Sequence, residues 1–442
     1  MERTTVITFL GTSLQPKPTL YCYSDKTGEE IQAKGFVFAQ ALCQFFDFDR
    51  MLVCMTEEAE KTVWESLKTE DKMLELADER VQALPIATGN NTTEMWEIFT
   101  TVAREIEVGE TVIFDITHGL RSLPFLVFLF AAYLKSAKGV KIKGIYYGAL
   151  ELSKRGTIPA PVIDLSEFVE MLDWLTASER FIEMGDGGAL ARLLRSKVQR
   201  GDKTLGMAAK GIEEVASGLV LARPLETMRA SALLGKRLAD ASEEIELRAK
   251  PFGLLQEQVA NAYGQFAFPT FINESAVSFS QKIGLTLEQQ LMMINWYREK
   301  GQIIQAVELS REWGVSVFVR YFNLENVAKI KVKDKYETSR TIIESALAAL
   351  ASSVSSREKT IPSWSNEWVP LIQEMKNERS IAEFWDRLTS LRNDLAHSGM
   401  RQNAMKAKDI QGKMNKIYEG LEQIIKPILE EGVHNEMPKK RN

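Results

Sequence analysis

The sequence predicts an α/β domain with a parallel-sheet core, followed by an all-helical second half. Over the first 150 residues, short β-rich apolar runs alternate with helical stretches, and beyond about Leu165 helical periodicity replaces the strand signals. Alternating strands and helices imply a parallel sheet covered by helices on both faces.

The strands are expected at Thr5–Leu10, Met51–Met55, Val81–Ile86, Thr111–Ile116 and Ile142–Tyr147. Helices are expected between them, over Gly35–Phe46, Glu57–Ala77, Thr92–Ile106 and Leu123–Ser136. The second half is punctuated by Gly185–Gly188, Arg223-Pro224, Lys250-Pro251, Phe268-Pro269 and Ile361-Pro362, which break one helix from the next. A chain of 442 residues suggests two or three domains. The pattern divides it at residues 1–155, 156–285 and 286–442.

Composition narrows the function classes. The chain is 45% hydrophobic and 26% charged, ordinary for a globular protein. Its net charge of −5 does not advertise a nucleic-acid coat, so any RNA contact must use a local concentration of basic groups. The three cysteines, Cys22, Cys43 and Cys54, form no Cys-x-x-Cys pair, which disfavours structural zinc and a disulfide framework. The most apolar run, Leu123–Leu134, is too short to span a bilayer. With no signal-peptide pattern at the N-terminus, a cytoplasmic location without membrane contact is expected.

In a parallel sheet, ligands bind beyond the carboxyl ends of the strands. Small and polar residues gather there: Gly11-Thr12-Ser13 after the first strand, Gly89-Asn90-Asn91-Thr92 after the third, and Asp115–Ser122 after the fourth. Gly11 and Gly119 let a ligand approach the backbone. Thr12, Ser13, Asn90 and Thr117 offer hydrogen bonds to ribose and base edges. Helix N-termini, His118 and Arg121 suit phosphates. There is no Gly-x-Gly-x-x-Gly and no phosphate-loop Gly-Lys-Ser/Thr, so dinucleotide cofactors and ATP hydrolysis are disfavoured.

Near the other end, Ile381, Phe384, Trp385, Leu388, Leu391 and Leu395 recur at helical spacing, in a helix ending near Gly399. Asn393 and His397 share its polar face, and Arg392 falls at the edge of the apolar stripe. Such residues suit RNA cleavage by its own 2′-hydroxyl. His397 would move the proton, Arg392 would stabilise the charged phosphate, and Asn393 would orient the phosphate or the histidine. No metal is required by this route. Glu308, Arg311 and Glu312 either line the same cleft or form helix-surface pairs. The lysine-rich Lys329–Lys335 reads either as a solvated stretch between helices or as a contact to RNA phosphates.

The run Asp115–Arg121 (D-I-T-H-G-L-R), preceded by a strand ending in Gly11-Thr12-Ser13, resembles the CARF sensor domain of CRISPR-associated proteins. Arg392, four residues, then His397 on a late helix resembles the signature of HEPN ribonucleases. Trp296–Gln302, Ala306–Trp313 and Trp174, Phe181, Gly185-Asp186 are similar to the helical parts of CARF–HEPN proteins of type III CRISPR systems. The resemblance implies a Rossmann-like sensor (1–155), a helical linker (156–285) and a HEPN domain (286–442). It implies a homodimer, or a larger assembly of dimers, that cuts single-stranded RNA in antiviral defence. The expected activator is a cyclic oligoadenylate, cyclic tetra-adenylate first, held by Gly11, Thr12, Ser13, Asn90, Asn91, Thr117, His118, Gly119 and Arg121. Two other readings of the same residues stand beside it: a nucleotide-sensing binding module without catalysis, and a ring nuclease that degrades its own ligand through Thr12, Ser13 or His118.

Overall fold

The computed structural model describes residues 3–15, 17–25, 28–69, 74–118, 123–153, 158–268, 279–325, 330–332, 335–354, 369–373, 375, 377–400 and 402–431. The chain divides into two units, Met1–Asp173 and Trp174–Asn442.

In the first unit the strands are β1 (Thr4–Phe9), β2 (Thr19–Ser24), β3 (Glu30–Gly35), β4 (Arg50–Met55), β5 (Val81–Pro85), β6 (Thr111–Asp115), β7 (Lys141–Gly148) and β8 (Ala160–Asp164). They form one sheet in the order β3-β2-β8-β7-β6-β1-β4-β5. The five expected strands lie side by side as β7-β6-β1-β4-β5, all parallel. All six residues of β4 are buried, as a strand covered on both faces requires. Alternate residues of β1 serve the two faces. Val6 joins a core with Phe38, Leu42 and Val63, while Ile7 and Phe9 join another with Ile98, Val102 and Phe130.

Three strands go beyond the expected parallel sheet. β2 and β3 form an antiparallel hairpin, and β8 runs antiparallel to β7 and parallel to β2, so the sheet is mixed. β3 hides its signal because only Ala33 and Gly35 of its six residues are buried. β8 opens on Ala160-Pro161 and exposes its last two residues. The expected helix Gly35–Phe46 narrows to Phe38–Phe45, since Gly35 belongs to β3. Gln40 sets its start by accepting the Phe36 N–H at 2.8 Å. The expected helix Glu57–Ala77 holds a π-helical turn at Glu60–Trp64 and reaches Thr69, and Leu74–Ala77 is a separate 3₁₀ turn.

The second unit is built of helices around one core that runs from Trp174 to Ile428. Buried polar tips are satisfied within it. Tyr297 donates its hydroxyl to the Leu219 carbonyl, and Trp313 donates Nε1–H to the Leu287 carbonyl, both at 2.7 Å. Residues from both of the stretches expected as linker and nuclease therefore share this core. One departure from the all-helical expectation is a short antiparallel pair, Ile330–Val332 with Lys335–Glu337, which begins in the lysine-rich stretch.

Two glycines fix the helix Glu378–Ala396. A Cβ on Gly314, in helix Ile303–Tyr321, would sit 2.9 Å from Trp385. A Cβ on Gly420, in helix Ala407–Gly420, would sit 2.4 Å from Phe384. Both distances are below contact, so each glycine is the space into which an aromatic ring packs.

Candidate functional site

In the parallel order the winding reverses between β1 and β6, which puts the ligand crevice expected of such a sheet past the C-terminal ends of those two strands. Asp115 ends β6 there and is fully buried. Thr8 of β1 donates its hydroxyl to Asp115 Oδ2 at 2.5 Å, and the Thr117 N–H donates to Oδ1 at 2.7 Å. The Thr117 hydroxyl accepts the Gly148 N–H at 2.8 Å and also bonds the Asp115 carboxyl. His118 Nε2 accepts the N–H of Phe38, the first residue of its helix, at 3.2 Å.

Burial pushes the Asp115 carboxyl up and the His118 imidazole down, each against the pull of the other's charge. Tyr21 of β2 is buried close by, and burial followed by the Asp115 charge pushes its hydroxyl up to about 12. Thr117 and His118 therefore spend side-chain hydrogen-bonding capacity inside the protein.

Around this buried layer lies an exposed rim. Thr12 and Ser13 are exposed beside a half-buried Gly11. Past β5, Glu94 Oε2 accepts the N–H groups of Gly89 and Asn90 at 2.9 and 3.0 Å. Asn91 caps helix Thr92–Glu105, accepting the Glu94 N–H at 3.0 Å and donating Nδ2–H to Glu94 Oε1 at 2.8 Å. Glu94 thus ties the loop to the start of the helix, and Asn90 and Asn91 are both exposed. Gly119 and Arg121 lie outside the described residues.

In the second unit, helix Glu378–Ala396 buries Ile381, Phe384, Trp385, Leu388 and Leu391. Asn393 is exposed, and Arg392 lies at the stripe's edge with 36% of its side chain accessible. His397 caps the helix C-terminus and is exposed. Behind it, Ser398 and Gly399 take positive φ of 51° and 70°, turning the chain sharply. Arg392 Nε donates to Glu308 Oε1 at 3.1 Å. A cavity of about 520 Å³ lies elsewhere in this unit, lined by Glu288, Glu299, Glu422 and Glu430 among others. None of the expected site residues lines it, and four carboxylates disfavour a phosphate.

Residues 5–151 match the family model described as the CARF domain of the CRISPR system endoribonuclease Csx1. Residues 5–151 are thus a CARF domain of the kind carried by CRISPR-associated proteins. Residues 170–270 match the second domain of the CRISPR-associated protein MJ1674. The MJ1674 protein of Methanocaldococcus jannaschii is itself 33% identical over 115 residues, a stretch covering 25% of this chain and 18% of that protein. This chain is also similar to Csm6 of Enterococcus italicus bound to cyclic hexa-2′-fluoro-hexa-dAMP. That likeness is 12% identical with a TM-score of 0.46, over 98% of this chain and 96% of the other. Among the described residues no helix is long and apolar enough to cross a membrane.

Within the CARF domain, sequence reasoning missed Thr8, Tyr21, Gln40 and Glu94. Thr8 alone left a trace, as a buried hydroxyl residue in an otherwise apolar strand. The His118 contact has a measurable pH signature. A protonated Nε2–H would face the Phe38 N–H, so the folded CARF domain favours neutral His118. That contribution is present above the ordinary histidine value and is lost as pH falls below it. The urea midpoint will therefore drop between about pH 7.5 and 5.5 in the wild type, and will drop less in His118→Gln. The raised Asp115 value acts in the opposite sense, so comparison with the variant isolates the histidine. Equal slopes would exclude this role.

Proposed function

We propose that the chain is a single-stranded RNA endoribonuclease switched on by a cyclic oligoadenylate held at the CARF crevice. The observation that carries this reading is the pairing, in one chain, of a CARF domain with a helical unit that presents Arg392, Asn393 and His397 on one helix end. Thr12, Ser13 and Asn90 face solvent at the crevice rim and suit ribose and base edges. Thr117 and His118 hold that rim in place from behind.

The cleavage step follows from the side chains. The RNA 2′-oxygen forms a bond to the neighbouring phosphorus as the bond to the 5′-oxygen breaks. The 2′-proton leaves to a base and the departing 5′-oxygen receives one. The products are a 2′,3′-cyclic phosphate and a 5′-hydroxyl. His397 supplies the proton transfer, and Arg392 stabilises the pentacoordinate phosphate. DNA, lacking the 2′-hydroxyl, resists this route.

The active form is a homodimer. Trp96, Phe125, Leu129 and Tyr133 are 64%, 68%, 44% and 50% exposed on helices Thr92–Glu105 and Leu123–Lys138. Phe99 packs against both Trp96 and Tyr133. An exposed apolar patch of this kind suits self-association. Ligand binding then favours the state in which two Arg392–His397 sites are set for RNA. His118 is already engaged with Phe38, so a CARF domain that also cleaved its ligand would draw on Thr12 or Ser13.

The test is an RNA cleavage assay with cyclic tri-, tetra- and hexa-adenylate, with and without a chelator. Cleavage is expected with one ring size, cyclic tetra-adenylate first, undiminished by the chelator and absent on DNA. No cleavage with any ring would favour a binding module. Strong inhibition by the chelator would exclude the metal-free route.

A further inference from the structure

We propose that Glu308 is a positioning residue for Arg392, gripping its guanidinium side-on so that the terminal nitrogens face the scissile phosphate. This rests on the ribonuclease reading and names how its arginine is oriented.

The contact is made through Nε, at 3.1 Å from Glu308 Oε1. Among the described residues, Nη1 and Nη2 of Arg392 have no hydrogen-bond partner. A carboxylate on Nε leaves the paired Nη edge free, and that edge matches two phosphate oxygens.

The neighbouring charges are already sorted into other pairs. Arg311 binds Glu312 and Glu344, and Arg340 binds Glu312 and the Ser316 hydroxyl. Glu308 is thereby left to Arg392. Its helix, Ile303–Tyr321, is buried along most of its length, so the carboxylate stands on a rigid base. The Gly314–Trp385 contact sets the register between the two helices. Glu308 lies a little under two turns before Gly314, and Arg392 about two turns after Trp385, as antiparallel packing requires.

Magnitude separates this role from a stabilising one. The two side chains are 36% and 38% exposed, and an ion pair that wet adds little to stability. What it does add is order, since a free arginine samples many rotamers.

The experiment measures ligand-stimulated cleavage for the full chain and for Glu308→Ala, Glu308→Gln, Arg392→Ala and the double variant. Glu308→Ala is expected to lower kcat roughly tenfold with little change in KM, with the unfolding midpoint unchanged. Glu308→Gln, which keeps an acceptor oxygen, recovers part of the loss. Adding Glu308→Ala to Arg392→Ala costs nothing further, whereas a merely structural glutamate would cost the same in both backgrounds. If Arg392→Ala is inactive but Glu308→Ala matches wild type, the positioning role falls alone. Faster cleavage in Glu308→Gln overturns it too, because the carboxylate would then be competing with the phosphate. If wild type cuts no RNA with any ring, the ribonuclease reading falls and this role with it.

Discussion

Replacing His397 with alanine will lower ligand-stimulated RNA cleavage by roughly 10²–10⁴-fold, the usual contribution of a positioned general acid or base. The substitution is well suited to the question because its structural cost is small. His397 is exposed and sits at the C-terminal cap of helix Glu378–Ala396, so alanine opens no cavity. What is lost structurally is only the side chain's contact with the helix C-terminus. Single-turnover cleavage with saturating cyclic oligoadenylate, alongside calorimetric titration of the ligand, separates the two halves of the reading. Cleavage should fall by that factor while ligand affinity stays within error of wild type. Retained cleavage would remove His397 from the mechanism. Lost affinity would mean that the variant had disturbed more than the reaction.

The second large effect belongs to Asp115. Asp115→Ala will destabilise the CARF domain by about 2–5 kcal/mol, because it takes a partner from three groups that Asp115 now satisfies. These are the Thr8 hydroxyl of β1 and the N–H and hydroxyl of Thr117, all in the layer behind the crevice. The loop bearing Thr117 and His118 then loses its anchor, and ligand affinity should fall at least about tenfold in consequence. Asp115→Asn is the informative companion. Its carboxamide keeps the shape and an acceptor, and the Thr8 hydroxyl can rotate to donate or accept. Since burial already disfavours the charged carboxyl, the neutral amide should cost far less than alanine. Urea unfolding gives the stability ranking and calorimetry the affinity ranking. Equal losses in the two variants would show that the charge, rather than the hydrogen bonds, holds the layer together.

Much of the fold was legible because periodicity reports burial. β4 reads as a strand since every residue in it is apolar or buried, and helix Glu378–Ala396 reads as a helix since its apolar residues recur every three or four positions. β3, at the sheet edge, and β8, between β2 and β7, escaped because each buries too few residues to leave an alternation. The sites were legible in residue type but not in partnership. Thr117, His118 and Asn91 have the chemistry of ligand contacts, yet their side chains are engaged with Gly148, Phe38 and Glu94. These partners lie up to 80 residues away in the chain, and spacing along a sequence carries no signal for a contact across a sheet. The same holds for Glu308, which meets Arg392 across 84 residues. The sequence offers Glu308 either a place in the cleft or an ordinary helix-surface pair, without naming Arg392 as its partner.

Gly314 and Gly420 have a mechanical consequence. They key helix Glu378–Ala396 like a splined shaft, with Trp385 and Phe384 as the teeth. Such a shaft can neither spin in place nor slide by a fraction of a turn without driving a ring into backbone. Any switch that moves Arg392 and His397 must therefore carry helices Ile303–Tyr321 and Ala407–Gly420 along as one block. The Glu308–Arg392 contact travels with that block, so the arginine is delivered to its substrate already aimed.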